Sequence, residues 1–259
     1  MDTKDSKSLS EERYTQYAEG YVTSETHAKG SDLDRLIAIA EPQSDWVMLD
    51  IATGGGHTAL KFSPHVKHVT ATDLTPRMLG KAKAFIIEEK GVTNVDFKQA
   101  DAENLPFEDG QFELVTCRIA PHHFPNVQQF INECARVLKA GGMLLVQDHL
   151  LPDDDESARY IDHFETVRDP SHNRAFNQSE WIAMFESAGI TVEYTEEYIK
   201  SHDFLDWSKR QGNDDATIAT LIQLLNDAPQ IAKDWMDTNN WGTESATFVN
   251  HHLLIRGRK

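Results

Sequence analysis

The chain has 259 residues, 39% of them hydrophobic and 26% charged, the balance of an ordinary globular protein, which argues against a disordered or fibrous chain and allows one domain with a sizeable core. Its 25 Lys and Arg stand against 42 Asp and Glu, a net charge of −17 with no basic cluster to offset it; such a chain repels polyphosphate, so a small-molecule partner rather than nucleic acid is expected. The opening "MDTKDSKSLSEERY" lacks the apolar stretch of a signal peptide and no run reaches the ~18 apolar residues of a membrane span, so a cytoplasmic protein without membrane insertion is expected.

In chain order, residues 1–45 are expected to form a helical lid segment, and residues 46–51, "WVMLDI", read as a buried parallel strand. "HVTATD" (68–73) ends a second strand, and Thr75 with Pro76 opens a helix whose apolar positions Met78, Leu79, Ala82, Phe85 and Ile86 recur at helical spacing. "NVDFKQAD" (94–101) and "QFELVTC" (111–117) are the third and fourth strands. Asn126 caps a helix with the stripe Val127, Phe130, Ile131, Cys134, Val137 and Leu138, "KAGG" stops it, and "MLLVQDHL" (143–150) is a fifth, fully buried strand. Cys117 and Cys134 fall inside these apolar patterns and read as core thiols.

Beyond residue 150 the pattern changes. Helical segments at 152–176 and 201–243 interrupt it and read as a cap, while 179–189 is a helix, 190–199 an alternating strand and 246–259 a long last strand. The alternation of strands and helices predicts a doubly wound, mainly parallel, seven-stranded Rossmann-like α/β sheet in a single domain, with residues 46–150 as the cofactor-binding half.

The run "DIATGGGHTA" places Gly54, Gly55 and Gly56 between a strand and a helix, where free backbone N–H groups and small residues admit a ligand. Two ligands fit. From Gly54 to Ala59 the loop satisfies the dinucleotide pattern, with Asp73 near the position of a ribose carboxylate, so an NAD(P)-dependent oxidoreductase is one reading. Against it, no tyrosine is followed four residues later by lysine, and the GxxxxGK[ST] phosphate loop is absent.

The second reading starts at Asp50. "LDIATGGG", Asp73 in "TATDLTPRM", Asp101-Ala102 in "FKQADAENLPFEDGQFELV", then "HHF" and "ARVLKAGGMLLVQD", resemble the class I S-adenosylmethionine-dependent methyltransferases, in particular their UbiE-like (methyltransferase type 11) branch and small bacterial relatives. The resemblance covers most of residues 46–150. It implies that Asp50, Ala52, Thr53, Gly54 and Gly56 form the loop around the methionine part of the cofactor, that Asp73 holds the ribose hydroxyls, that Leu74 packs on adenine and Asp101 with Ala102 meets its edge, and that Arg118 borders the sulfonium. Ala52 departs from the family, which usually has its first glycine there, and implies a tighter loop. On the residues alone Asp73 also reads as a helix cap and Asp101 as a loop acid.

Methyl transfer from a sulfonium needs a positioned nucleophile, and a base only where the acceptor must lose a proton. His122 and His123 are the candidate catalytic bases, with Asp148 and His149 beyond the next strand end. Arg168 and His172 are candidate substrate contacts in "VRDPSHNR", and the expected acceptor is a ring-bearing or apolar small molecule methylated at carbon or oxygen. Tyr14, Tyr17, Tyr21 and His27, with Trp207, Trp235 and Trp241, line such a pocket or pack short helices. Metal-ligand spacings are missing, so no metal is expected. A non-catalytic cofactor-binding module stays open beside the two enzyme readings.

Overall fold

The structure is a computed structural model and describes residues 7–9, 11–13 and 31–259. Its strands are β1 (Val47–Ile51), β2 (His68–Asp73), β3 (Val95–Gln99), β4 (Phe112–Arg118), β5 (Leu138–His149), β6 (Thr191–Asp203) and β7 (Thr247–Arg258). They form one sheet in the order β3-β2-β1-β4-β5-β7-β6, parallel except for β7, which runs antiparallel to both its neighbours. From β1 the chain moves outward to β2 and β3, then returns to place β4 on the other side of β1. This reversal of strand order opens a crevice at the carboxyl ends of β1 and β4, where α/β sheets bind ligands.

The helices are α1 (Ser31–Ala40), α2 (His57–Phe62), α3 (Pro76–Lys83, continued by a π-helical turn over Ala84–Glu89), α4 (Val127–Val137), α5 (Asp155–Arg168), α6 (Gln178–Ser187), α7 (Phe204–Lys209), α8 (Asp215–Asp227) and α9 (Gln230–Met236). The α4 stripe forms as expected: Asn126 Oδ1 accepts the Gln129 N–H at 3.1 Å, and Val127, Phe130, Ile131, Cys134 and Val137 are buried against Leu49, Phe112 and Val115. The opposite face of the sheet, with Met48, Leu114 and Leu145, packs on Leu33 and Leu36 of α1 and Phe62 of α2. A third apolar cluster holds the cap together, with Phe164 of α5 stacked on Trp207 of α7 at 5.5 Å and Phe248 of β7 edge-on to the same indole at 4.7 Å.

Three boundaries differ from the sequence reading. β5 begins at Leu138, not at residue 143: Leu138 already pairs with Phe112, and "KAGG" is absorbed as a register shift in the β4–β5 ladder, with Gly141 left-handed at φ 75°. β6 runs on to Asp203, so the second cap segment starts at Phe204. That segment is three short helices, because left-handed Gly212 (φ 72°) follows α7 and Pro229 precedes α9. Trp207 and Trp241 pack within the cap, Trp241 against Phe204 at 4.5 Å, while Trp235 stacks on His251 at 4.0 Å. Tyr14, Tyr17, Tyr21 and His27 lie outside the described residues, as does much of the expected lid segment. No helix among the described residues is long and apolar enough to cross a membrane.

Candidate functional site

The glycine loop owes its shape to alternate left-handed residues: Ala52 (φ 52°), Gly54 (φ 54°) and Gly56 (φ 84°). Gly56 is required by packing rather than by a ligand. A Cβ there meets Ile86 Cδ1 at 2.7 Å and Ala82 Cβ at 3.1 Å, so its lack of a side chain lets α3 lie against the loop. Ala52 carries a real cost, because an L-residue in this region is strained by about 1–2 kcal/mol. Ala52→Gly is therefore expected to raise stability by about 0.5–1 kcal/mol, less than the whole strain because glycine gains freedom in the unfolded chain; an unchanged or lower urea midpoint contradicts this.

Asp50 turns its carboxylate into the protein. Its two oxygens accept the hydroxyls of Thr53 (2.6 Å) and Thr116 (2.7 Å), tying the loop to β4 across the sheet. Burial pushes its pKa up to about 6 against the pull of these hydrogen bonds. A folded pKa above the unfolded value near 3.9 gives stability that is complete below about pH 4 and is lost as pH rises through about 6. Asp148 shifts the same way, to about 6, but is common to any Asp50 variant. We expect the stability of Asp50→Asn relative to the parent to rise by roughly 2 kcal/mol between pH 4.5 and 7.5 in paired urea melts; parallel curves would refute the assignment.

Asp73 closes the β2 end. Oδ2 accepts the Gly54 N–H at 3.0 Å and Oδ1 the Thr75 N–H at 2.9 Å, so the carboxylate fixes the turn that leads into α3 and pins the glycine loop. Asp101 lies across the cleft, where Lys7 Nζ bridges Asp101 Oδ2 (2.7 Å) and Glu103 Oε2 (2.6 Å). Leu74 and Ala102 line the same space.

Arg118 ends β4 and is held by a group that the sequence did not reveal. Its Nε and Nη2 bind Asp32 Oδ2 of α1 at 3.0 and 2.6 Å, and Lys200 of β6 (2.9 Å) and Gln147 of β5 (3.1 Å) donate to the same oxygen. Burial opposes the charge on Asp32, yet Arg118 and Lys200 outweigh it and hold the carboxyl at about 2. Lys200 is lowered to about 8 by burial and by Arg118. The partners come from four elements far apart in the chain, and no local pattern announces them.

After Arg118 the chain turns through Ile119, a β-branched residue at φ 53° whose N–H donates to Gln147 O at 2.7 Å. Strain of this kind gathers at functional sites. The turn delivers Pro121–His123 to the cleft rim. His123 lines the cleft, and His122 does not: its Nδ1 and backbone N–H both bind Asp148, at 2.6 and 2.7 Å, in a buried pair. Burial lowers the pKa of both imidazoles.

The cap candidates separate. His172 comes within 5.3 Å of the His122 ring and binds Asp162 at 2.6 Å. Arg168 does not reach the cleft; its guanidinium lies 4.3 Å over Trp207 and donates to that residue's carbonyl, so cation–π packing inside the cap takes the charge expected to meet a substrate.

Together these groups enclose an open cleft with about 1110 Å³ of empty space, part of it continuous with solvent. Asp50, Ala52, Thr53, Gly54, Asp73, Leu74, Asp101, Ala102, Arg118 and His123 all line it; Gly56 supports it from behind. Among the described residues no group of three or more His, Cys, Asp or Glu is arranged to hold a metal.

Comparison with known proteins places this geometry. Residues 49–146 match the methyltransferase domain family. The chain is 38% identical over 247 residues to the uncharacterized methyltransferase YcgJ of Bacillus subtilis, covering 95% of this chain and 97% of that one. A crystal structure of a methyltransferase candidate from Bacillus halodurans superposes with a TM-score of 0.85 at 39% identity, over 89% of this chain and 99% of the other. The chain is 34% identical over 117 residues to the ubiquinone/menaquinone biosynthesis C-methyltransferase UbiE of Brucella canis, 43% of this chain and 44% of that one.

Proposed function

The chain belongs to the methyltransferase domain family, and from that premise we propose that it binds S-adenosylmethionine in the cleft between β1 and β4 and methylates a small, ring-bearing or apolar acceptor at carbon or oxygen. The observation that carries this reading is the convergence of Asp73 and Asp101, from two successive strand ends, on one cleft floored by a left-handed glycine loop.

The residues present fit a nucleoside with two ribose hydroxyls. The Asp73 carboxylate lines the cleft, and a carboxylate accepts hydroxyl donors in pairs. Leu74 and Met78 give the adenine an apolar surface, Asp101 with Ala102 meets its edge, and the loop from Ala52 to Gly54 leaves room for the methionine chain beside Arg118. When bound, the cofactor supplies a methyl group already activated on a sulfonium. The protein then has to bind, orient and, for an acidic acceptor, take a proton.

Ala120, Phe124 and Pro125 line the cleft on the His123 side and suit an apolar ring. His123 is the base in this reading, kept neutral near pH 7 by burial. His122 fixes the turn through Asp148 instead of reaching the acceptor.

Isothermal titration with S-adenosylhomocysteine tests the cofactor assignment. Micromolar binding is expected, together with silence toward NADH and NADPH in fluorescence titration. No heat with S-adenosylhomocysteine at high micromolar concentration would sink the proposal.

A further inference from the structure

The loop after α5 carries a carboxylate that joins four parts of the chain. Asp169 is almost fully buried, and Oδ1 accepts both the Ser171 hydroxyl at 2.6 Å and the Ser171 N–H at 3.0 Å. Oδ2 accepts Gln211 Nε2 at 2.8 Å, and Arg13 Nε lies 3.1 Å from Oδ1. Ser171 in turn meets the cleft-lining histidine: its carbonyl is 2.9 Å and its Oγ 3.3 Å from His123 Nδ1.

The direction of this chain of hydrogen bonds follows from the acceptors. A carboxylate only accepts, so the Ser171 hydroxyl proton lies toward Asp169. With that proton committed, Ser171 Oγ meets His123 as an acceptor, and the Ser171 carbonyl has no proton to give. Both oxygens facing Nδ1 therefore call for a proton on Nδ1.

We propose that Asp169 is a positioning residue of the site: acting through Ser171, it holds His123 in the Nδ1–H tautomer and leaves Nε2 as the nitrogen that accepts a proton from the methyl acceptor. This rests on the reading of His123 as the acceptor-side base. It is the polarity of the Asp-His pair of hydrolases with a serine interposed. Two bonds would break: the acceptor's O–H or C–H, whose proton would go to His123 Nε2 and whose electron pair would form the new bond to the methyl carbon, and the methyl carbon–sulfur bond of the donor, whose pair would leave on sulfur as S-adenosylhomocysteine.

Four neighbouring groups among the described residues make no hydrogen bond to Nδ1. The His122 ring is 4.1 Å away on the same turn and the His172 ring 6.5 Å away on the cap loop. Asp148 of β5 is engaged with His122, and Arg118, which shares the cleft, is engaged with Asp32. Burial lowers the proton affinity of His123, and the Asp169 charge is foremost among the influences that raise it.

The test is ¹⁵N-edited NMR of the full chain with labelled histidine, the His123 signals being assigned by their loss in His123→Gln. In the parent protein the neutral His123 ring is expected as the Nδ1–H form. Asp169→Asn should cut the ratio of Nδ1–H to Nε2–H roughly fivefold, the worth of one hydrogen bond of about 1 kcal/mol, and lower the titration midpoint. Ser171→Ala removes only Oγ and should give a smaller change of the same sign, which keeps the test open should Asp169→Asn not fold. An Nε2–H ring in the parent, or unaltered His123 signals and midpoint in both variants, overturns the proposal. Titration of the parent with S-adenosylhomocysteine is a separate readout: its failure would remove the methyltransferase reading while leaving the His123 result standing.

Discussion

Asp73→Ala is expected to weaken S-adenosylhomocysteine binding at least about 100-fold in isothermal titration, the loss of two hydrogen bonds from ribose hydroxyls to one charged acceptor at about 1.5–3 kcal/mol each. The same substitution frees the Gly54 and Thr75 N–H groups that Asp73 now accepts, so some stability is lost with the ligand contacts. Asp73→Asn separates the two effects. It keeps one oxygen for the loop and forfeits the charge, and should bind with an intermediate affinity at near-parental melting temperature. An affinity within threefold of the parent in Asp73→Ala would remove Asp73 from the site.

Gly56→Val is expected to cost about 3 kcal/mol or more, seen as a fall in the urea midpoint at unchanged slope. Two penalties add here. A β-branched residue at φ 84° is strained in its own backbone, and its Cβ enters the space of Ile86 Cδ1 at 2.7 Å and of Ala82 Cβ at 3.1 Å. Gly54→Ala faces a similar φ, yet its Cβ stands 3.7 Å from Met78 Cε, an ordinary contact, so it should be the milder change for stability. If both variants melt alike, α3 does not depend on Gly56 for its seat against the loop.

The parts of the fold that were legible in the sequence were those where one local pattern decides the outcome. The α4 stripe recurs at the helical period and meets the sheet along its whole length, so periodicity alone places Phe130 and Cys134 in the core. The acids at strand ends were legible through the spacing of the strands that carry them, and the structure brings Asp50, Asp73 and Asp101 to one cleft. What spacing leaves undetermined is orientation. Asp50 spends both oxygens on Thr53 and Thr116, and Arg168 folds onto Trp207, because partners distant in the chain compete for them.

Glycines show the same division. "KAGG" reads as a helix stop, yet α4 already ends at Val137, and the run lies inside β5 as a register shift that depends on pairing with Phe112 across the β4–β5 ladder. "TGGG" reads as a ligand loop, yet Gly56 answers to Ile86 and Ala82. The knot of Asp32, Arg118, Gln147 and Lys200 lies beyond any local reading, since four elements must already be in place before it exists.

The antiparallel strand β7 also dictates an order of assembly. It follows β6 in the chain, yet in the sheet it lies between β6 and β5, and among the described residues β6 has no other strand beside it. As the polypeptide leaves the ribosome, β1 to β5 with their helices can come together first, while β6 waits without a docking edge and β5 presents an unpaired one. Insertion of β7 closes both at once and brings Lys200 to Asp32. The strands that carry the cleft between β1 and β4 can thus pair early in synthesis, and the β6–β7 edge of the sheet is the last to be built.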